Sequence, residues 1–273
     1  MALELIRIDS ATCTQCGACT DVCPTSCLTL ENGVPTVGGK NPCIACGHCV
    51  AVCPTAALDH RNAPLASQTP LPEKTPWDSA TAEVFLRSRR SVRSYRPEPV
   101  SREEVRRLLE VARQAPSGGN SQGLSYLVLD DPATLKAVTT ATVDWMEELI
   151  AQGHPRSGYY STSVRNYRTE GKDVILRGAP CLVLALAPES LQARGRDNAR
   201  FSLEYAELYA PTLGLGSCWS GFVELCANSG YRPLLDVLAL PEGMSVVGGL
   251  MLGLPKHRYR RLPDRQPLKI AWH

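Results

Sequence analysis

The second two-thirds of the chain alternates between two hydrophobic periods. Ser101 and Glu104 have the spacing of a capping box, and after them Val105, Leu108, Leu109 and Ala112 recur at helical spacing with arginines on the other face. A helix follows Ser101. Beyond a Gly-rich break at 118–123, the run SYLVLDD predicts a buried strand stopped by Pro132. Residues 133–151 return to a helical pattern, with Leu135, Val138, Trp145 and Leu149 on one side. The rest predicts a strand over 180–187, a helix over 198–213, a short helix over 232–239 and a strand over 244–253 ending at Pro255. The stretch 152–172 reads as a variable loop. Strands that are apolar throughout call for cover on both faces, so a central sheet flanked by helices is expected, of class α+β or α/β and assigned here as α+β.

The N-terminal part has a different texture. Short strands are predicted around Leu5–Ile8, Leu28–Leu30 and Pro35–Val37. Between the two parts, PLASQTPLPEKTPW carries Pro64, Pro70, Pro72 and Pro76, the density of a semi-rigid linker. Three segments result: a small domain at 1–63, a linker at 64–77 and a large domain at 78–273.

Composition narrows the classes. The 273 residues have 29 Lys+Arg against 27 Asp+Glu, a net charge of +2, and 44% hydrophobic content, which excludes a disordered tail and a coiled coil. The longest apolar runs, 179–187 and 244–252, fall short of the roughly 20 residues that cross a bilayer, so no membrane partner is expected. The start, MALELIRIDSATC, carries Glu4 and Asp9 and no apolar core of signal-peptide length; a cytoplasmic protein is expected.

Twelve cysteines change the picture, because a chain of this length folds without disulfide staples. Eight of them form two runs, Cys13, Cys16, Cys19, Cys23 and Cys43, Cys46, Cys49, Cys53, each C-x2-C-x2-C-x3-C followed by Pro24 or Pro54. The runs are offset by 30 residues throughout, an internal repeat. Three closely spaced thiolates wrap one corner of a cubane cluster, Gly17 and Gly47 relieve the crowded loop, and the fourth cysteine of each run ligates the other cluster. Cys13, Cys16, Cys19 and Cys53 are thus expected to hold one [4Fe–4S] cluster, and Cys43, Cys46, Cys49 and Cys23 a second. Disulfides are disfavoured by compartment and by strain, and zinc by the four-plus-four pattern with its terminal Cys-Pro. His48, between Cys46 and Cys49, reads as a solvated loop residue. Residues 1–60 resemble bacterial two-cluster ferredoxins in LIRID, both cysteine runs and the connecting LTLENGVPTV. Over 1–66, Arg7, Lys40 and Arg61 face Glu4, Asp9, Asp21, Glu31 and Asp59, a net of −2 that leaves +4 for the remainder and argues against nucleic acid on this domain.

Of the other cysteines, Cys27 and Cys181 read as small buried hydrophobes, and neither Cys218 nor Cys226 has a histidine in sequence that would activate it. His60, His154, His257 and His273 are scattered and form no constellation. His257 could at most stand near a phosphate or an entrance.

Arginines gather in LRSRRSVRSYRP and in PKHRYRRLPDR, one before a capped helix and one after the last strand, where guanidinium groups can grip an oxyanion. Solvated basic faces or a nucleic-acid patch would also fit such clusters. In order along the chain, RRSVRSYRP, APSGGNSQ, GLGSCWSGF and LGLPKHRYRRLP resemble four segments of the nitroreductase family of FMN enzymes. The resemblance implies that Arg89, Arg90, Ser91 and Arg93 meet the FMN phosphate, ribityl chain and ring edge. It places Pro116 and Ser117 near the flavin with Asn120 in polar contact, and puts the Ser220 and Gly221 amides at N5 with Cys218 and Trp219 alongside. Arg261, then Arg260, are the further phosphate ligands it implies. One departure is local: Gln122 continues as Gly123, Leu124 and Ser125 where many members have Q-P-W-H.

Two clusters and FMN in one chain imply an iron–sulfur flavoprotein oxidoreductase that reduces a small acceptor, nitroaromatic, quinone-like or activated alkene. The alternative is an electron-transfer module serving a protein partner. No G-x-G-x-x-G follows a strand, so no resident dinucleotide fold is expected. The donor is either NAD(P)H at the flavin or an external ferredoxin or flavodoxin at the clusters, and the family implies a homodimer.

Overall fold

The structure, a computed structural model, describes residues 5–39, 41–74 and 77–273. Lys40 and the Thr75–Pro76 end of the expected linker lie outside the described residues. The chain packs as two units, Met1–Pro76 with Gly119–Ser121 and Trp77–Gly118 with Gln122–His273.

In the first unit, β1 (Ile6–Ile8) pairs antiparallel with β4 (Leu58–His60), and β2 (Leu28–Glu31) with β3 (Val34–Val37). Two one-turn helices, α1 (Ala18–Asp21) and α2 (His48–Ala51), start inside the cysteine runs. Each follows a glycine in the left-handed region, Gly17 at φ 78° and Gly47 at φ 74°, a conformation that a Cβ would strain. The repeat is visible in the backbone itself, because positive φ also recurs 30 residues apart at Gln15 and Ala45 and at Ser26 and Ala56. Ile6, Leu28, Val50 and Leu58 form the small core, and Leu65, in a 3-10 turn over Leu65–Ser67, packs on it. The start of the Pro-rich segment therefore belongs to this unit.

The second unit is built on a four-stranded sheet of β5 (Ser125–Leu129), β6 (Cys181–Pro188), β7 (Gly216–Trp219) and β8 (Met244–Gly253), in the order β5-β6-β8-β7 with every pair antiparallel. Strand alternation divides two cores. Leu182, Leu184 and Leu186 enter the core shared with α5 (Pro132–Ala151), α6 (Ser157–Glu170), α8 (Gly221–Asn228) and α9 (Arg232–Leu238). Cys181, Val183, Ala185 and Ala187 enter the other, against α4 (Arg102–Ala112) and α7 (Gln192–Tyr209). The double-sided burial read from the apolar strands is present in an antiparallel sheet. Ser101 caps α4 through the reciprocal box with Glu104, as its sequence predicts.

Three expectations need correction. Residues 152–172 are not a loop: α6 covers Ser157–Glu170, and its sequence gives little apolar pattern because it buries little beyond Tyr160 and Ser163. The strand after the Gly-rich break is half-buried rather than buried, since β5 is the sheet edge. The helix expected from 198 begins at Gln192, and α3 (Ser79–Ser88), with no buried residue, gave no apolar face to read.

Candidate functional site

In the first unit, all eight cysteines of the two runs surround cavities. Cys13, Cys16, Cys19 and Cys53 line one, and Cys43, Cys46, Cys49 and Cys23 line another. These are the two sets expected from the crossed-ligand rule. Among the described residues no three His, Cys, Asp or Glu side chains gather closely enough to grip a single ion, so the cysteines ring a volume rather than converge on a point. That donor set fits a polynuclear cluster.

The thiols are tuned in matching pairs. Burial raises the pKa of Cys19 and pushes Cys49 up to about 11, so these two become thiolates only against a strongly positive partner. Burial also opposes ionisation of Cys23 and Cys53, but backbone N–H groups around them outweigh it and lower both. The Cys27 amide donates to Cys23 Sγ at 3.2 Å, and the Ala57 amide to Cys53 Sγ at 3.3 Å. Cys27 is itself buried, as are Cys181 and Cys226.

Two histidines break this symmetry. His48 is exposed, as expected, but it opens helix α2 rather than lying in a loop, and its Nδ1 lies 3.0 Å from Cys46 Sγ. His60, which forms no constellation in the sequence, is buried, and its Nε2 lies 3.3 Å from Cys43 Sγ. The signal that could have found it is the repeat, which sets His60 against Leu30. Asn120, grouped with this unit, donates from Nδ2 to the carbonyls of Ile44 and Ala45 at 2.9 and 3.1 Å.

In the second unit the arginine segment is clamped on two sides. Ser91 forms a parallel bridge to Ser217 of β7, with the Val92 amide donating to the Ser217 carbonyl at 2.8 Å. Tyr95 bridges Pro255, just past β8. The first, third and fourth of the separated segments thereby meet, and the Arg90 guanidinium lies 5.7 Å over the ring of Tyr259, also in the fourth. Arg260 and Arg261 beside it are exposed, as is His257.

Arg89 turns inward, its guanidinium 3.5 Å from both Glu204 and Glu207 of α7. Glu207 is buried and also accepts from Ser217 Oγ at 3.2 Å. Burial raises its pKa, with Arg89 opposing. Nothing in FSLEYAELY marks this carboxylate for burial, because a helical Glu ordinarily faces water. Arg93 remains exposed, close enough to the buried Cys218 to oppose the rise that burial gives that thiol.

Beyond β7, the Ser220 amide donates to the Gly249 carbonyl at 2.8 Å, while Gly221 is the first residue of α8 and its N–H has no intrahelical acceptor. Of the two amides singled out, that of Ser220 is thus already engaged by the protein. Ser220 Oγ is buried without a hydrogen-bond partner, an orphaned hydroxyl of the kind that a ligand satisfies. Trp219 donates from Nε1 to Glu224 at 2.9 Å and lies against Gly248, where a Cβ would come within 3.0 Å of its ring. Pro116 and Ser117 line a separate cavity of about 190 Å3 with Tyr126, Asn198 and Ser202. The Gly118 amide donates to Asn198 Oδ1 at 3.0 Å, so α7 holds this segment and Arg89 nine residues apart, ~13.5 Å along its axis.

Comparison with known proteins gives this arrangement a setting. Residues 86–254 match the Nitroreductase family and residues 5–54 the 4Fe-4S dicluster domain. "FMN reductase [NAD(P)H]" of Bacillus subtilis is 25% identical over 198 residues, covering 69% of this chain and 71% of that protein. A "Putative NADH dehydrogenase/NAD(P)H nitroreductase" of Archaeoglobus fulgidus is 26% identical over 176 residues, 63% of this chain and 84% of its own. The crystal structure of a nitroreductase with bound FMN from Desulfitobacterium hafniense shares the fold at 21% identity with a TM-score of 0.56, covering 68% of this chain and 96% of that one.

Proposed function

Because the chain belongs to the nitroreductase family, as an FMN-dependent oxidoreductase joined to an iron–sulfur domain, we propose that it passes electrons between two [4Fe–4S] clusters and FMN and delivers them to a small organic acceptor. Nitroaromatic, quinone-like and activated-alkene compounds are the acceptor classes. The observation that carries the flavin site is the bridge of Ser91 onto Ser217, which brings segments more than a hundred residues apart to one place. Two four-cysteine cavities support the count of two clusters.

FMN supplies the conversion between one-electron and two-electron transfer, and the clusters supply one-electron steps. The chain does the rest by holding and shielding. Arg90, Arg93, Arg260 and Arg261 offer guanidinium groups to the phosphate, with Ser91 and Ser117 as polar partners. Arg89, engaged by Glu204 and Glu207, acts as the strut that fixes the segment's path, and Glu207 also orients the Ser217 hydroxyl. The Gly221 N–H and the Ser220 hydroxyl are donors aimed at charge that grows on the ring edge during reduction. Cys218, buried and held as a thiol, packs beside them rather than acting as a nucleophile. Asn120 and Pro116 complete the proposed set.

NAD(P)H is the favoured donor, in keeping with the names of the two relatives, and the site is completed in a homodimer. Phe201 and Tyr205 on α7 and Val84 and Leu86 on α3 are exposed apolar side chains that a second copy would cover. Among the described residues no helix is long and apolar enough to cross a membrane.

Anaerobic stopped-flow mixing of cluster- and FMN-loaded protein with NADPH, NADH or reduced ferredoxin, read separately at flavin and cluster wavelengths, tests the reading. The expected result is flavin reduction followed by the clusters, and reoxidation by a nitroaromatic or quinone. Rapid exchange with a carrier protein and no turnover of any small acceptor would replace it with the electron-transfer-module reading. Light scattering of the loaded protein checks the dimer.

A further inference from the structure

The two cysteine runs are copies at a spacing of 30 residues, so each wall residue of one cavity has a counterpart position in the other repeat. Many counterparts agree: Thr25 and Thr55, Gly17 and Gly47, Leu28 and Leu58. Among those that differ, Cys27, His48 and His60 line the cavity of Cys43, Cys46, Cys49 and Cys23, where the corresponding positions are Ala57, Ala18 and Leu30, while Ile44 of that cavity corresponds to Thr14 of the other. Both histidines stand on one side, and Thr14 is the polar member on the other.

His60 is the strongest of them. Its Nδ1 accepts the Asn62 amide at 3.0 Å, which in a neutral ring leaves the proton on Nε2, and Nε2 is the atom 3.3 Å from Cys43 Sγ. The ring is 1% exposed and therefore held in this orientation. The bond is N–H to sulfur, with the nitrogen donating. Cys43 Sγ accepts a second N–H, from the Ala45 amide at 3.3 Å, and His48 approaches Cys46. At the corresponding position of the other half stands Leu30, 46% exposed and without a donor.

We propose that His60 is a positioning residue that raises the reduction potential of the cluster held by Cys43, Cys46, Cys49 and Cys23 above that of its repeat mate, making it the electron sink of the pair. Reduction adds one electron from the donor to the cluster, with no bond made or broken and the His60 proton retained. The added negative charge spreads onto the ligand sulfurs and strengthens the N–H bond to Cys43, so the reduced state gains more than the oxidised one. Solvent works the other way, since Cys16 is exposed where Cys46 is half-buried. The substitution of one donor therefore has to separate the two effects.

This inference rests on the two-cluster reading, and iron analysis keeps them apart: about eight iron atoms per chain establish both clusters before potentials are compared. An EPR-monitored redox titration of the full FMN-loaded protein then gives two one-electron steps. His60→Leu, the residue of the other repeat, lowers the upper step about tenfold in its equilibrium constant, ~59 mV for a one-electron couple, and leaves the lower step in place. His60→Gln, which keeps an N–H donor, retains most of the upper potential even if the leucine variant assembles poorly. His48→Ala, at an exposed position, moves the same step by less. Equal movement of both steps, movement of the lower step alone, or no movement in His60→Leu overturns the proposal. A wild-type chain that binds only about four iron atoms overturns the two-cluster reading instead.

Discussion

The iron–sulfur unit gathers its eight proposed ligand cysteines within a stretch from Cys13 to Cys53, whereas the flavin unit assembles its candidate residues from Arg89 to Arg261. In the first, chain connectivity does most of the positioning: two left-handed glycines and two one-turn helices set the loops. In the second, positioning depends on long-range pairing, with Ser91 on Ser217 and Tyr95 on Pro255. A locally encoded site tolerates disturbance elsewhere in the chain. A site closed by distant bridges depends on the helices and strands that carry them.

The largest effect that tests this contrast is removal of a cluster ligand. Cys46→Ser is expected to lose the cluster of Cys43, Cys46, Cys49 and Cys23 while FMN binding persists, read as iron and sulfide content against flavin absorbance in one sample. If flavin is lost with the iron, the two regions are not independent. Next, Arg93→Ala removes a charged phosphate partner and should weaken FMN binding by about 10- to 100-fold, given ~1.5–3 kcal/mol for a hydrogen bond to a charged group. Flavin fluorescence on dilution measures it, with iron content unchanged.

A smaller effect comes from Ser101→Ala, which deletes the cap of α4 and should cost about 1 kcal/mol of stability in the flavin unit without altering either set of cofactor ligands. Chemical denaturation followed by flavin release and by cluster absorbance should show only the first transition move. The smallest is a pH effect at Glu207. Its folded pKa is raised, so the folded state binds the proton more tightly than the unfolded chain, and its contribution to stability falls as pH rises above the ordinary carboxylate range. Glu207→Gln keeps an oxygen for Ser217 and should flatten Tm against pH above the ordinary glutamate range. An unchanged slope would mean that Arg89 and Arg93 keep Glu207 ionised against Glu204 and burial.

The same contrast explains what could be read in advance. The iron–sulfur domain was legible because cluster chemistry fixes cysteine spacing, and the two-cluster ferredoxin rule supplied the crossed ligand sets proposed here. Helices α4 and α5 and strands β6 and β8 were legible because one face or both are apolar. By contrast α3 and α6 were not, since their packing uses few apolar side chains, and Tyr160 alone does not make a stripe. The flavin residues were reached through segment resemblance, and that route is silent about which atoms are already spoken for. Arg89 is tied to Glu204 and Glu207, and the Ser220 amide to Gly249. Glu207 and His60 were missed for a shared reason: a single polar letter carries no sign that folding will bury it.

Strand β6 has a consequence for engineering. Neighbouring residues such as Val183 and Leu184 look into different cores, one beside α7 and one beside α5. A combinatorial library that varies alternate positions therefore samples two separate compartments, and stabilising hits from the two pools should combine almost additively when crossed. Shuffling neighbours within one pool should not, because those side chains share partners.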